Sequence, residues 1–232
     1  LNGDTKGRTQ YYVYVIFNAA IGLYELEKDS LEAISAQLLQ MIRMKSYELY
    51  THSINVANHS VSIAAKLGTA NEIEQIRHGA LLHDLGLIMM PSAVLKKAPF
   101  FNRQELSKYR QHPANGANMI ENYPCCQSII PYIRYHHERW DGSGFPKHLC
   151  GSNIPLGARI IAIADYYDSA INPSTESWSK SKKTAKQELF SGSGIYFDPD
   201  LVKAFIEIIA NTIKRHYIRS YNISPMTRNS SR

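Results

Sequence analysis

The chain carries a histidine and an aspartate side by side, His83 and Asp84, at the end of an apolar helical run. Leu81 and Leu82 precede the pair, and Gly86 follows it. Adjacent helical residues point about 100° apart, so both side chains can serve one centre only if it lies between helices. One interpretation is a metal site in a helical bundle, with a nitrogen ligand from His83 and an oxygen ligand from Asp84. The other is a helix end, where the dipole favours His83 and Gly86 stops the helix.

The apolar pattern from Asp29 onward predicts an all-α protein. Apolar residues recur at helical spacing through most of the chain, and the pairs Asn71 with Glu74 and Asn102 with Glu105 are typical of helix starts. We expect one helical domain over residues 29–220 and a flexible tail over 221–232. Residues 1–28 contain a strand-like run, Tyr11–Phe17, and we interpret them as an arm packed on the bundle or the end of an upstream, regulatory domain.

Charge, cysteine content and hydropathy limit the partners and the location that we expect for this chain. The net charge of +6 hints at an anionic partner, and four lysines form a local patch, Lys180, Lys182, Lys183 and Lys186. We favour a solvated face over a site for a nucleic-acid polymer. Three cysteines give no disulfide framework, and no apolar run reaches the ~18 residues of a membrane span. These features predict a cytoplasmic protein without direct membrane contact in this segment.

Five of the nine histidines lie at the ends of apolar helical runs, where side chains point into a core. Three acidic residues occupy similar positions. The eight are Glu48, His52, His83, Asp84, His112, His136, His137 and Asp165. Burying so many titratable groups is very costly unless cations or mutual pairing compensate. The remaining four histidines lack this setting, and we expect surface or structural roles for His59, His78, His148 and His216.

Several short motifs follow one another along the chain between about Tyr47 and Phe205. They are Thr51-His52-Ser53, Leu81-Leu82-His83-Asp84-Leu85-Gly86, His112-Pro113-Ala114-Asn115-Gly116, His136 to Pro146, Ile154 to Ile160, Ala164-Asp165 and Phe197-Asp198-Pro199. In this order they resemble the HD-GYP domains of bacterial cyclic-di-GMP phosphodiesterases, part of the HD superfamily of metal-dependent phosphohydrolases. The resemblance implies an HD-type helical bundle around a buried multinuclear metal site.

The resemblance also implies the ligand set and the metals. It assigns six metal ligands, with Asp84 bridging two ions: His83, Asp84, His112, His136, His137 and Asp165. Glu48 and His52 match the ligands of family members with a third metal, although an exposed helix glutamate remains an equal alternative for Glu48. Two or three divalent ions are implied, usually iron and otherwise manganese, and mixed imidazole and carboxylate ligands suit both metals.

The implied reaction is hydrolysis of cyclic-di-GMP to the linear dinucleotide or to GMP. Two metals lower the pKa of a bridging water and stabilise charge on the phosphate. His83 and Asp84 would be the catalytic pair. Substrate contacts are expected from Arg139, Phe145, Lys180 and Lys183. Signalling proteins are further candidate partners.

Three departures from the family pattern leave other interpretations open. Leu87 replaces the lysine of HDxGK, Phe145 replaces the GYP tyrosine, and Ser174-Thr175-Glu176-Ser177 replaces an arginine-rich stretch. The chain is thus similar to unorthodox members that lack the tyrosine. One alternative is a degenerate module that keeps its metals and binds a nucleotide or signalling partner. Another is a different HD phosphohydrolase or a di-iron oxygenase of the superfamily.

Overall fold

The computed structural model describes residues 30–172 and 179–220, with backbone only for 212–220. Helices and short 3-10 turns make up its regular structure, and the described residues contain no β-sheet, only an isolated bridge between Ser193 and Phe197. The predicted all-α class is therefore confirmed. The strand-like run Tyr11–Phe17, the rest of the 1–28 segment and the 221–232 tail lie outside the described residues.

Ten α-helices follow one another through the described ranges. They are α1 (Leu31–Lys45), α2 (Tyr47–Leu67), α3 (Ile73–Leu82), α4 (Ser92–Leu95), α5 (Arg103–Tyr109), α6 (His112–Met119), α7 (Ile130–Tyr135), α8 (Leu156–Ile171), α9 (Lys182–Ser191) and α10 (Pro199–Ser220). Short 3-10 turns lie between some of them, at Ala70–Glu72, Leu85–Met89, Pro124–Cys126 and Gly151–Asn153.

The predicted helix starts were right in one place and wrong in another. Asn102 and Glu105 form a reciprocal capping box at α5, since each side chain accepts a hydrogen bond from the other residue's backbone N–H, at 2.9 and 3.0 Å. Asn71 does not cap α3, because the 3-10 turn Ala70–Glu72 leads directly into that helix and no side chain caps its first turn. The local pattern alone could not separate these two cases.

Two apolar clusters fill the bundle and meet at α7. The first joins α1, α2, α3, α6, α7 and α8, and its buried members include Leu38, Ile42, Leu82, Leu85, Ile120 and Ile133. The second lies between α2, α3, α8, α9 and α10, with Ile63, Ile76, Ile160, Tyr167 and Phe205. Tyr132 packs against both clusters. Burial of this apolar surface, at roughly 25 cal/mol per Å², is the main force that holds these helices in place.

Candidate metal centre

The end of α3 is held against the start of α6 at a glycine. His83 still has helical backbone angles, and the chain then tightens into the 3-10 turn Leu85–Met89. A Cβ at Gly86 would lie 2.1 Å from the backbone oxygen of His112, so only glycine fits this contact. The close approach brings Asp84 beside His112, with 3.1 Å between Asp84 Oδ1 and His112 Nε2. The helix ends at this stretch as the second interpretation predicts, but Gly86 lies inside the following 3-10 turn and serves the contact with His112. The role of the pair as metal ligands stays a prediction.

Three buried histidines share one local geometry. Each places Nδ1 2.7–2.8 Å from the backbone oxygen three residues earlier: His83 to Ala80, His112 to Tyr109 and His136 to Ile133. A carbonyl oxygen can only accept, so in each ring Nδ1 donates and the neutral ring keeps its lone pair on Nε2. This is the orientation that a metal-binding imidazole needs.

The three Nε2 atoms converge with Asp84 between them. His112 Nε2 lies 3.3 Å from His136 Nε2, and His83 Nε2 lies 3.3 Å from Asp84 Oδ2. The Nε2 atoms of His83 and His137 are buried and have no hydrogen-bond partner in the described part of the chain. Buried nitrogens without a partner are costly. A bound cation would satisfy them.

A second side of the cluster comes from α2 and α8. His52 Nε2 lies 3.2 Å from Asp165 Oδ1 and 3.8 Å from Asp84 Oδ2, while His52 Nδ1 lies 2.7 Å from Asp168 Oδ2. Asp168 is buried and accepts a further hydrogen bond from Asn172, at 2.8 Å. Two residues of α8 three positions apart therefore hold the two nitrogens of one imidazole.

Burial and charge set the protonation of the cluster. Burial lowers the pKa of His137 to about 4, and positive charge at His112 adds to the effect. Burial acts to lower the pKa of His52 too, but hydrogen bonds with Asp165 and Asp168 outweigh it and raise that pKa to about 10. Burial likewise opposes ionisation of Asp84, yet the charge of His83 holds the pKa of Asp84 well below its usual range. The carboxylates of Asp84 and Asp165 thus favour positive charge at this position, as a site for a cation requires.

Seven of the eight predicted ligands fall into overlapping groups whose donor atoms lie within 4.8 Å of one another. The groups are His112, His136 and His137; His52, His83 and Asp165; and His83, Asp84 and His136. The donor set and its unpartnered nitrogens fit divalent metal ions of the iron and manganese kind. Glu48 is exposed and accepts a hydrogen bond from Ser46, at 2.6 Å, outside these groups. Its role as a ligand stays a prediction.

The predicted substrate contacts lie in different settings. Phe145 stacks on His137, with ring centroids 4.9 Å apart and an interplanar angle of 28°. Arg139 is exposed, and its guanidinium carbon lies 4.6 Å from the centre of the Tyr196 ring. Lys180 forms an ion pair with Glu188, at 2.6 Å, and Lys183 is exposed on α9. Only Phe145 touches a member of the metal cluster in these contacts.

The loop that carries Phe145 is built around a buried carboxylate. Glu138 is 3% exposed and accepts hydrogen bonds from the backbone N–H groups of Lys147 and Leu149, at 2.6 and 3.1 Å. A Cβ at Gly144 would lie 2.4 Å from the backbone nitrogen of Arg139, so the loop folds back tightly on itself there. These contacts fix Phe145 over His137.

Sequence reasoning missed three residues of this region. Asp168 orients His52, Glu138 shapes the loop, and Tyr109 lies against His112 with ring centroids 4.9 Å apart. Burial raises the pKa of Tyr109 well above its usual value. The spacing of Asp165 and Asp168, three apart on one helical face, was the available signal for the first. The sequence offered no comparable signal for Glu138 or Tyr109.

The sequence matches the HD domain family over residues 36–201, and the chain therefore belongs to this family. A cyclic di-GMP phosphodiesterase of Vibrio cholerae is 35% identical to it, over 90% of this chain and 49% of the relative. One from Thermotoga maritima is 31% identical, over 74% of this chain and 49% of the relative. The chain thus spans about half the length of these curated relatives. The predicted relationship to HD-GYP proteins is confirmed.

Solved structures show the same fold. An HDG"Y"P protein from Bdellovibrio bacteriovorus superposes with a TM-score of 0.61 at 19% identity, covering 90% of this chain and 75% of the other. A cyclic GMP-AMP specific phosphodiesterase of V. cholerae gives a TM-score of 0.58 at 20% identity, covering 77% and 48%. The HD-type bundle predicted from the motifs is confirmed. Among the described helices, none combines the length and the apolar character needed to cross a membrane.

Proposed function

We propose that this chain is a metal-dependent phosphodiesterase that hydrolyses a cyclic dinucleotide, cyclic-di-GMP in the first instance. The observation that carries the proposal is the convergence of three Nε2 lone pairs, from His83, His112 and His136, on the carboxylate of Asp84. The similarity to cyclic di-GMP and 3'3'-cGAMP phosphodiesterases supports a cyclic dinucleotide as the substrate class.

Asp84 supports a centre with at least two ions. Its Oδ1 faces His112, at 3.1 Å, and its Oδ2 faces His83, at 3.3 Å. One carboxylate with its two oxygens directed at different ligand groups suits a bridge between two cations. His136 and His137 would complete one side, and His52 with Asp165 the other. We propose iron, or alternatively manganese, with Glu48 as a candidate ligand for a third ion.

The charges suit a phosphodiester. Two divalent ions bring four positive charges, and the carboxylates of Asp84 and Asp165 neutralise two of them. A net positive centre remains for an anionic substrate. When bound, such metals activate a water and stabilise negative charge on the phosphate oxygens.

The chain's own residues hold this arrangement in place. The backbone oxygens of Ala80, Tyr109 and Ile133 fix the imidazoles, and Asp168 fixes His52. Because these groups are already oriented before substrate arrives, little reorganisation accompanies the reaction. Phe145 covers His137 and leaves a flat apolar surface at the edge of the cluster.

The proposal is tested by reconstituting the purified chain with iron, under anaerobic conditions, or with manganese. Cyclic-di-GMP, cyclic GMP-AMP and cyclic-di-AMP are then offered, and linear products are followed by chromatography. We expect turnover of at least one of them, and its loss in the Asp84→Asn variant. The matched control is Asp200→Asn, which changes an exposed aspartate of α10. Full metal content without turnover of any of the three would overturn the proposal.

One observation favours a second candidate, a degenerate module that binds a nucleotide or a signalling protein. Leu87 is 3% exposed and packs inside the 3-10 turn, where the family pattern has a lysine. The cation expected beside the substrate is therefore missing from that turn. Calorimetry that detects nucleotide binding by a fully metal-loaded but inactive protein would support this candidate. A cytoplasmic location and signalling partners stay predictions.

A further inference from the structure

An arginine lies over the aromatic ring that covers the metal cluster. The guanidinium carbon of Arg110 is 5.7 Å from the centre of the Phe145 ring, and Phe145 in turn stacks on His137. Arg110 is exposed, and its guanidinium pairs with no carboxylate among the residues that the structure describes. A positive charge without an anionic partner among the described residues therefore lies one ring away from His137, a predicted ligand.

Arg110 shares a helical face with a second arginine. Arg103, Ser107 and Arg110 are four and three positions apart, so they lie along one side of α5 and its last turn. With Leu106 they line a shallow cavity of about 230 Å³. Two guanidinium groups and a hydroxyl around a cavity form a surface that suits an anion.

The backbone fixes this surface relative to the cluster. The N–H of Arg110 donates to the backbone oxygens of Leu106 and Lys108 at the end of α5, and α6 begins two residues later at His112. Tyr109, between these positions, contacts both His112 and His137 through its ring. The arginine face and the metal cluster are thus rigidly connected.

A cyclic dinucleotide has two phosphates, and only one can be cleaved at a time. The other remains an anion that must be held away from the metals. Leu87 provides no cation for it, because this side chain is apolar and buried. Arg110 and Arg103 offer the positive charge outside the cluster that the turn after Asp84 does not.

We propose that Arg110, assisted by Arg103, forms a second anion-binding subsite that holds the uncleaved phosphate of the cyclic dinucleotide. Phe145 keeps the guanidinium at this position through its ring face. The inference rests on the proposed function, since it names a substrate contact of the same site. In this proposal, α5 and the residue that follows it bind the phosphate that is not cleaved.

The test compares a substrate that has a second phosphate with one that lacks it. Cyclic-di-GMP and bis(p-nitrophenyl) phosphate are offered to the metal-loaded wild type and to Arg110→Ala. For cyclic-di-GMP we expect KM to rise roughly 10-fold or more, with kcat changing much less, as suits the loss of a charged hydrogen bond to a bound substrate. The KM for bis(p-nitrophenyl) phosphate should rise far less. Arg103→Ala should give a smaller increase in KM for the dinucleotide.

Two further variants control for charge and for general damage. Arg110→Lys keeps the charge but loses the planar group, so it should recover only part of the affinity. Arg43→Ala is the matched control, because Arg43 is also exposed and its guanidinium carbon lies 5.6 Å from the centre of an aromatic ring, that of Tyr50. It should behave as the wild type. Metal content is measured for every variant.

Calorimetry with cyclic-di-GMP separates this inference from the proposed catalysis. If the wild type binds the dinucleotide without cleaving it and Arg110→Ala binds at least 10-fold more weakly, the subsite stands and the catalytic proposal fails. If the wild type is active and Arg110→Ala keeps the same KM and Kd, the subsite is overturned while the enzyme proposal stands. If the wild type neither binds nor cleaves cyclic-di-GMP, cyclic GMP-AMP or cyclic-di-AMP, both proposals are overturned.

Discussion

A contact of 2.7 Å joins His52 Nδ1 to Asp168 Oδ2, and it decides which nitrogen of His52 faces the cluster. With Nδ1 engaged, Nε2 points at Asp165, 3.2 Å away. Asn172 holds the other oxygen of Asp168, so the carboxylate itself cannot rotate freely. Second partners of this kind fix the tautomer and the direction of a metal-binding imidazole.

We predict that Asp168→Asn weakens binding of the ion held by His52 by about 10–100-fold. The substitution keeps the size of the side chain but removes the charge and changes the donor pattern around Nδ1. Elemental analysis after dialysis against limiting metal gives the change in metal content. The matched control is Asp200→Asn, which changes an exposed aspartate. Ser169 is unsuitable as a control because its hydroxyl donates to Asp165, a predicted ligand. Unchanged metal content in Asp168→Asn would show that the contact is not used in this way.

Gly86→Ala should destabilise the protein by about 3 kcal/mol or more, because its Cβ would overlap the backbone oxygen of His112 and that oxygen cannot move aside easily. Urea denaturation gives the change in the free energy of unfolding. Gly151→Ala is the matched control. Its Cβ meets no atom within 4 Å, although φ is +56°, so we expect a loss of only about 1 kcal/mol. Equal losses in the two variants would contradict the close approach at Gly86.

Removal of metal by a chelator should lower the melting temperature. An ion present at 100 times its Kd stabilises the folded state by about 2.7 kcal/mol, which corresponds to roughly 5–10 °C for a chain of this length. Scanning calorimetry with and without the metal gives the shift. In His83→Ala we expect most of this metal-dependent shift in melting temperature to be lost. The control is His148→Asn, which changes an exposed histidine and suits its φ of 57°, and it should show the full shift. A shift of the same size in both variants would place the ions elsewhere.

His78, outside the cluster, gives a prediction about pH. It is 3% exposed, and its Nε2 lies 3.1 Å from Glu32 and 3.8 Å from Glu74, with Arg77 beside it. Burial lowers the pKa of His78, and the charge of Arg77 adds to this. The unfolded chain therefore binds a proton more readily than the folded protein, and the stability falls as the pH drops below about 6.5.

Replacing His78 with glutamine should remove this contribution. The free energy of unfolding would then depend less on pH below about 6.5, by up to about 1.4 kcal/mol per pH unit. Urea denaturation of wild type and variant between pH 5 and pH 7.5 measures the two slopes. Parallel slopes would mean that His78 takes up its proton equally in the folded and unfolded states.

The sequence was enough to predict the helical class and which side chains gather at the centre. Histidines at the ends of apolar helices were expected to enter the core, and His83, His112 and His136 do so. His52 lies inside α2 and is only partly buried. The sequence could not reveal the backbone oxygens that orient the rings, because these depend on the exact turn at each helix end. Nor could it reveal that α7 ends at Tyr135, since the loop beyond this helix closes around Glu138.

The ion pairs of Arg77 connect the protein surface to the cluster. Arg77 donates to Glu32 on α1 and to Glu74 on α3, and it lies six residues before His83 on α3. The first described helix, α1, is therefore tied to α3, the helix that ends just before His83 and Asp84. Charged side chains at the surface therefore add to the apolar core in fixing the helix from which His83 and Asp84 emerge.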